Sequence, residues 1–598
     1  MSSVVSIPGP QTELWDREWE ELFALPATSD EGDATDLYHR SQVVVSLNLP
    51  MQIPSAGASR SNILKAASNA DSPQRSSDSD FRRHNAAERS IGELSNGSET
   101  CIPHTEQTCS ARILHHVPEL KLNLFVRAFL ILSAGTATAA LVVILATPVL
   151  SRLYPPAAFG TLAVYTAALS LMTTIGAFRY ELAIPIAETD EVAANLATVS
   201  FVLVVANVSI IIGAVALVPS RLLQLVHCPD LSSYLWLIPV AFLLTSVYQI
   251  ASYWAIRRQG HRQLARTRIS QSAGCTAAQL SIGAVHGGVW GLLLGDLIGR
   301  ASGSGVMLRY LAASWPRGGV VARRRAWGAM RRYAKFPLLS APAAVLGAAA
   351  SQLPLLLLAR FFGLEAAGFY ALCARVLNAP TSLLGGALGQ AFLSHAATLR
   401  LDNDELRRVT ERLALALLSF GLPVFLFVMV EGPPLFAQVF GQRWLVAGIY
   451  AQRLAPWFLL WMVSSPLSQL LTVREWQGTT LVFTSVECAV TVCALSVGAW
   501  LKSAQVGVTA LGIAGFILAI LTTSRYLHAG YSSWRRLIIN VVALAVCAAA
   551  TFAAASMVTG GASLFGLGTR FALFASAYGL LVWRFRLYGR CAVETSRR

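Results

Sequence analysis

The chain has 598 residues, 54% hydrophobic and only 13% charged, with a mean hydropathy of +0.53 and a formal net charge of +15. A soluble protein must cover its surface with polar and charged groups, so this composition excludes one and reads as an integral membrane protein. The positive balance does not point to nucleic acid, because the arginines lie in short loops between apolar runs rather than in a binding motif on a soluble surface.

Residues 1–120 are rich in Ser, Asn, Asp and Glu, lack a long apolar run and read as a largely disordered cytoplasmic tail. Within it, Thr12 to Leu25 carries Trp15, Trp19 and Phe23 at near-helical spacing. It is either a docking segment, a weakly ordered stretch or translated sequence upstream of the true start. Cys101, His104 and Cys109 lack the second paired cluster of a structural zinc site, so no metal and no cofactor is expected. No positive segment followed by an apolar stretch marks a signal peptide ahead of the first helix. The other cysteines, such as Cys275, Cys373, Cys488, Cys493 and Cys547, lie inside apolar runs and read as small buried residues.

Apolar runs of about 20 residues, enough to cross a hydrocarbon core of about 30 Å, recur from Ala128 almost to the C-terminus. They cover 128–150, 160–178, 193–217, 233–255, 269–286, 288–311, 337–359, 363–395, 411–430, 445–471, 478–500, 505–526, 536–558 and 563–584. The expected fold is an all-α membrane protein of about fourteen helices. The long run 363–395 holds Pro380, Gly385 and Gly386 and is expected to tilt or kink.

A pattern of Arg, apolar residue, aromatic residue, five variable residues and Gly occurs twice, at Arg152-Leu153-Tyr154 to Gly160 and at Arg360-Phe361-Phe362 to Gly368, at a constant offset of 208 residues. Each copy joins one apolar run to the next, which marks a tight turn with Gly where backbone freedom or close approach is needed. The repeat indicates a chain built by doubling.

Loop charge sets the topology, because Lys and Arg accumulate on the cytoplasmic side. One set of loops holds Arg257, Arg258, Arg262, Arg266 and Arg268, then Arg317, Arg323–Arg325, Arg331, Arg332 and Lys335, and later Arg400, Arg407, Arg408, Arg412, Arg474, Arg525, Arg535 and Arg536. The other set holds little beyond Arg152, Arg221, Arg360, Arg443, Lys502 and Arg570. This alternation requires an even number of crossings with both termini cytoplasmic. Both repeat turns then fall on the outer side, so the halves run parallel and are related by a pseudo-twofold axis along the membrane normal.

The run Ile131 to Gly160, the segment Arg179-Tyr180-Glu181-Leu182-Ala183-Ile184 with Glu188, Asp190 and Glu191 after it, and the stretches Phe336-Pro337, Ser351-Gln352-Leu353-Pro354, Gly368-Phe369-Tyr370, Arg375-Val376-Leu377, Leu388-Gly389, Leu454-Ala455-Pro456-Trp457 and Ser464-Ser465-Pro466-Leu467 together resemble the bacterial lipopolysaccharide and capsule oligosaccharide flippases of the multidrug/oligosaccharidyl-lipid/polysaccharide exporter superfamily. The resemblance covers about 120 to 530. It departs at the tail, and at Gly441-Gln442-Arg443-Trp444, which is basic where the family pattern is acidic.

The resemblance implies two six-helix lobes enclosing a cavity that opens to one face at a time. The expected organisation is tail 1–120, N-lobe 121–316, C-lobe 317–530, and two extra helices with a basic end at 531–598. It also implies a cargo of undecaprenyl-diphosphate-linked oligosaccharide, for polysaccharide and lipopolysaccharide biosynthesis in the cell inner membrane. Expected partners are that cargo, membrane lipids, and a polysaccharide polymerase with its chain-length regulator.

Arginine pairs bidentately with phosphate oxygens and stays charged, and an ionisable group within a span costs about 2.5–3.5 kcal/mol against lipid, so such groups are functional candidates. The substrate-binding candidates are Arg179, Arg375, Arg453, Gln352 and Gln390. Arg179 is alternatively an interfacial anchor, Arg375 a structural hydrogen-bond donor, and Arg453 a side chain snorkelling to the outer interface. Gln352 and Gln390 either bond sugar hydroxyls or glue helices together. The ion-coupling candidates are Asp296, which shares a helix face with Arg300 and favours a structural pair, and Glu487, which has no partner near it in sequence.

No catalytic residue is expected. The longest outer connection, about 218–232, offers only Arg221, His227, Cys228 and Asp230, and no Gly-rich phosphate loop with Lys is present. A multidrug or ion antiporter of the same fold and a membrane polysaccharide polymerase or ligase are the alternative readings.

Overall fold

A computed structural model describes residues 131–217, 233–285, 288–315, 323–399, 402–474, 476–532, 534–558 and 564–595. The expected tail, with Cys101, His104 and Cys109, lies outside the described residues. Those described form fifteen α-helices and no strand: α1 (Ile131–Leu153), α2 (Pro156–Thr174), α3 (Asp190–Leu217), α4 (Leu237–Arg257), α5 (His261–Val285), α6 (Val289–Ala313), α7 (Arg323–Arg332), α8 (Ala341–Thr398), α9 (Asn403–Phe440), α10 (Leu445–Leu467), α11 (Gln469–Val473), α12 (Gln477–Trp500), α13 (Ala504–Ala529), α14 (Trp534–Val558) and α15 (Leu564–Thr595).

Thirteen of the fourteen apolar runs lie mainly on a single one of these helices, and 445–471 takes in both α10 and α11. Nine segments among the described residues are long and apolar enough to cross a membrane, one of which (336–382) runs through a break in α8. That break is Gly363, at φ +87° inside an otherwise helical stretch, so α8 is two crossings joined by the second repeat turn. The position equivalent to Gly363 in the first copy is Pro155, which caps α2 in extended geometry. One turn uses left-handed backbone and the other a proline for the same job.

Three boundaries differ from the hydropathy reading, each for a local reason. Helix α2 stops at Thr174 because Phe178 (φ 49°) and Arg179 (φ 66°) adopt left-handed backbone before a short 3-10 turn, Tyr180–Ala183. Helix α5 begins at His261, about two turns before its apolar run, and carries Arg262, Arg266 and Arg268 on helix rather than loop. The basic connection after α6 contains α7, whose Arg-rich sequence hides its helical period from a hydropathy scan.

Packing follows small residues. On α6, Gly295, Gly299 and Gly303 recur every four residues and receive Gln279, Cys275 and Gln271 of α5, which recur at the same spacing in the opposite direction. This antiparallel small-residue seam lets the two backbones approach closely.

The repeat glycines meet each other. A Cβ on Gly160 would lie 1.8 Å from the carbonyl oxygen of Leu364, and one on Gly368 would lie 1.9 Å from that of Pro156. Pro156 and Leu364 are themselves 208 residues apart, so the α2–α8 crossing is a reciprocal contact of the kind a twofold generates.

Beside it, Ser151 Oγ donates to Phe440 O (3.0 Å), Arg152 Nη2 to Gln438 O (3.1 Å) and Trp444 Nε1 to Ser151 O (2.8 Å). Trp444 is fully buried, edge-on to both Phe159 and Phe369. The first repeat turn is thus clamped to the α9–α10 turn. Arg152 spends its guanidinium on that clamp.

Helices α14 and α15 pack on each other and on α9 through Phe427, Phe552, Phe571 and Phe574, with a half-hidden Arg570–Glu431 ion pair.

Candidate functional site

Three helices line an open cavity of about 460 Å³. Helix α1 contributes Thr136, Ala139, Ala140, Val143 and Ile144, helix α5 contributes Arg268, Gln271 and Ser272, and α8 contributes Arg375, Asn378, Ala379 and Ser382. On each helix the spacing is three and four residues, so each presents one continuous stripe. The α1 wall is small and apolar beyond Thr136, whereas α5 and α8 face it with two guanidinium groups, two amides and two hydroxyls. One guanidinium comes from each half of the doubled sequence.

Arg268 Nη1 donates to Thr136 Oγ1, which itself donates to Leu132 O (2.8 Å). This pair holds Arg268 across from α1. Arg375 has no hydrogen bond or ion pair among the described residues, although Asp296 and Cys275 lie within electrostatic reach. Its donors remain available to a ligand. The arrangement can bind a phosphate-like anion through two guanidinium forks, with Gln271, Asn378, Ser272 and Ser382 able to bond neighbouring hydroxyls.

The other candidates are placed elsewhere. Arg453 Nη1 donates to Gln505 O (2.7 Å) and Thr509 Oγ1 (2.8 Å), which ties α10 to the first two turns of α13. Gln352 donates to its neighbour Ser351 Oγ (3.3 Å) and does not line this cavity. The side chain of Gln390 lies outside the described residues. Both oxygens of Asp296 accept from Arg300 (2.6 and 3.1 Å), and Arg300 Nη1 also donates to Thr245 Oγ1 (2.8 Å). Arg300 thus occupies part of the acceptor capacity of both Asp296 oxygens. Glu487 sits partly exposed on α12, within electrostatic reach of Tyr370 and Tyr526.

A family profile described as "Polysaccharide biosynthesis protein" matches residues 149–448, half the chain, and spans Arg268 and Arg375. The chain belongs to this family. Among solved structures, it is similar to "Lipid II flippase MurJ, inward closed conformation" at 10% identity and a TM-score of 0.62, covering 76% of this chain and 99% of that one. It is also similar to an inward-facing multidrug resistance MATE family transporter of the MOP superfamily, at 14% identity and a TM-score of 0.48, covering 67% and 94%. No curated protein sequence matches it significantly. This member of the polysaccharide biosynthesis family thus shares its helical fold with the lipid II flippase structure and is a multi-pass membrane protein.

Two residues of this family member are not evident as site residues from sequence. Arg268 counts there as a loop charge, and the signal that finds it is the polar stripe 268/271/272, which matches 375/378/382 in period. Glu181 lies in the irregular segment after α2, only 3% exposed, with Oε2 buried and without a hydrogen-bond partner among the described residues. Burial pushes its carboxyl above the ordinary range, opposed by a backbone hydrogen bond and by the neighbouring Arg179, whose Nε is likewise buried and unpartnered.

Because the folded carboxyl titrates higher than the unfolded one, its burial cost is absent below the unfolded pKa and grows as pH rises through the window up to the folded value. Stability should therefore fall between acidic and neutral pH. In Glu181→Gln that part of the decline should vanish, which thermal unfolding in detergent across this range would register. An unchanged pH slope would mean Glu181 is not the group responsible.

Proposed function

We propose that this protein is a flippase that moves an undecaprenyl-diphosphate-linked oligosaccharide from the cytoplasmic to the outer leaflet of a bacterial inner membrane, for assembly of O-antigen, capsule or exopolysaccharide. The observation that carries the reading is the pair Arg268 and Arg375, one from each half, facing one cavity in a member of a polysaccharide biosynthesis family. The lipid tail of such a cargo can stay in the bilayer, but its diphosphate and sugars cannot cross hydrocarbon unaided. Two permanent cations with flanking amides and hydroxyls offer those groups a substitute for water.

The contacts also give the cycle a starting point. The cavity stripe on α1 centres on Ala140, eleven residues and so roughly 16 Å from Ser151, where the halves are clamped through Phe440, Gln438 and Trp444. With both repeat turns on the outer face, this conformation is shut outside, and its cavity lies towards the cytoplasm. Release of the clamp and rocking of the halves would present the cargo outside. We place both termini in the cytoplasm, and a polymerase with its chain-length regulator as the consumer of the product. Within this reading the protein performs no covalent chemistry.

The test is reconstitution of the purified full chain in vesicles with a lipid-linked oligosaccharide on one leaflet, and then lectin capture from the other side. Protein-dependent appearance of the sugars on the far side is expected. Movement of small cations without lipid-linked sugar would instead identify an antiporter, and lengthening of the sugar chains would identify a polymerase or ligase.

A further inference from the structure

Helix α7 is a bridge between the halves with two differently used faces. One face is seated on the protein: Ala329 is buried, Tyr180 Oη donates to Met330 O (3.4 Å), Arg325 pairs with Glu191 (3.2 Å) and Arg332 pairs with Glu188. The other face carries Trp327 and Arg331, and Lys335 follows at the same four-residue spacing just past the helix end, all exposed, with the Arg331 guanidinium over the Trp327 ring at 5.4 Å. Neither Arg331 nor Lys335 has an acidic partner among the described residues. Arg325 and Arg332 spend their charge on carboxylates, and these two do not.

The segment C-terminal to α7 fixes the depth of that stripe. Backbone bonds from Ala334 to Arg331, Phe336 to Tyr333 and Leu338 to Ala334 carry the helical path onward into a π turn, Phe336–Ser340, and then α8. The apolar span begins at Phe336, and Leu338 and Leu339 are 71% and 70% exposed. Lys335 thus sits immediately before hydrocarbon and Arg331 about one turn further out, at headgroup level. Trp327 beside them is the residue type that favours this interface. A water-borne partner would have to cover two bare leucines that acyl chains cover at no cost.

We propose that Trp327, Arg331 and Lys335 form a binding surface for an anionic phospholipid, with the headgroup phosphate between the two cations and the acyl chains along Leu338 and Leu339. Because α7 is ion-paired to the first half and continuous with α8 of the second, a lipid held there braces the linker between them. The site is separate from the arginine cavity and does not depend on what that cavity carries.

Native mass spectrometry of the detergent-purified full chain, titrated with phosphatidylglycerol or phosphatidylcholine, tests this. Wild type should prefer phosphatidylglycerol. In the Arg331→Gln/Lys335→Gln double variant the tightest phosphatidylglycerol binding should weaken on the order of thirtyfold, about fivefold per charge at an anionic surface, with phosphatidylcholine binding unchanged. The charge-preserving swap Arg331→Lys/Lys335→Arg should retain most of the preference, which separates lost charge from damaged fold. Equal phosphatidylglycerol binding by the double variant and wild type would overturn the proposal. So would displacement of the lipid by soluble glycerol phosphate at matched concentration, since the surface would then be a free-phosphate site.

Discussion

Arg375→Ala should insert and melt like wild type yet lose transfer of lipid-linked sugar and, in cells, polysaccharide assembly. The two halves of that expectation have different physical sources. Arg375 makes no hydrogen bond or ion pair among the described residues and faces the cavity, so truncation breaks no such bond and leaves no hydrogen-bond partner orphaned. A charge-assisted hydrogen bond to cargo contributes about 1.5–3 kcal/mol, and loss of a bidentate pair should reduce transfer at least about tenfold to a hundredfold. Arg375→Lys should restore part of the rate, since it keeps the charge and loses the fork.

Arg268→Ala should act in the same direction. Thr136→Val should act more weakly, by freeing Arg268 from the hydroxyl that aims it. Because both arginines would grip one anion, the double variant should lose less than the product of the singles. Normal polysaccharide assembly in Arg375→Ala with normal protein levels would exclude Arg375 from the cargo site.

How the sequence relates to this site is uneven, and the reasons are physical. Fourteen apolar runs are readable because a crossing needs a minimum length of apolar residues whatever its neighbours are. Arg375 is readable because a lone cation inside such a run has few structural excuses. Arg268 is not, since a charge near a helix end next to a basic loop looks the same as a topology signal until the helix is seen to start at His261. Arg453 is legible as unusual, but its partner on α13 is about fifty residues away in sequence, and nothing local tells a strut from a ligand. Glu181 stands in plain view beside Arg179. Its burial depends on two consecutive left-handed residues that no hydropathy pattern predicts.

The doubled turn is the most legible feature, and its glycines have a use the pattern alone leaves open. Both are helical in φ, so close approach rather than backbone freedom is what they supply. Gly160→Ala should be among the most damaging single-methyl changes in the chain. The new Cβ would sit 1.8 Å from Leu364 O and 2.7 Å from its carbonyl carbon, where real Cβ atoms do not come within 3.0 Å. The obstacle is backbone, which cannot rotate aside as a side chain does, so α2 and α8 must separate. Overpacking of this kind costs about 1–3 kcal/mol or more, and here the separation also loosens the packing of Trp444 between Phe159 and Phe369.

Gly368→Ala should cost a similar amount, because its Cβ meets Pro156 O at 1.9 Å in the reciprocal contact. The double variant discriminates between a shared joint and two unrelated tight spots. If one parting of the helices relieves both clashes, the double should be clearly less destabilised than the sum of the singles in thermal unfolding. Strict additivity would mean the two clashes are relieved independently, and the reciprocal α2–α8 contact would not behave as one joint. Since that joint lies beside the clamp of Ser151 on Phe440 and Trp444, the proposed transport cycle also predicts poor cargo transfer by the same variants even below their melting temperature.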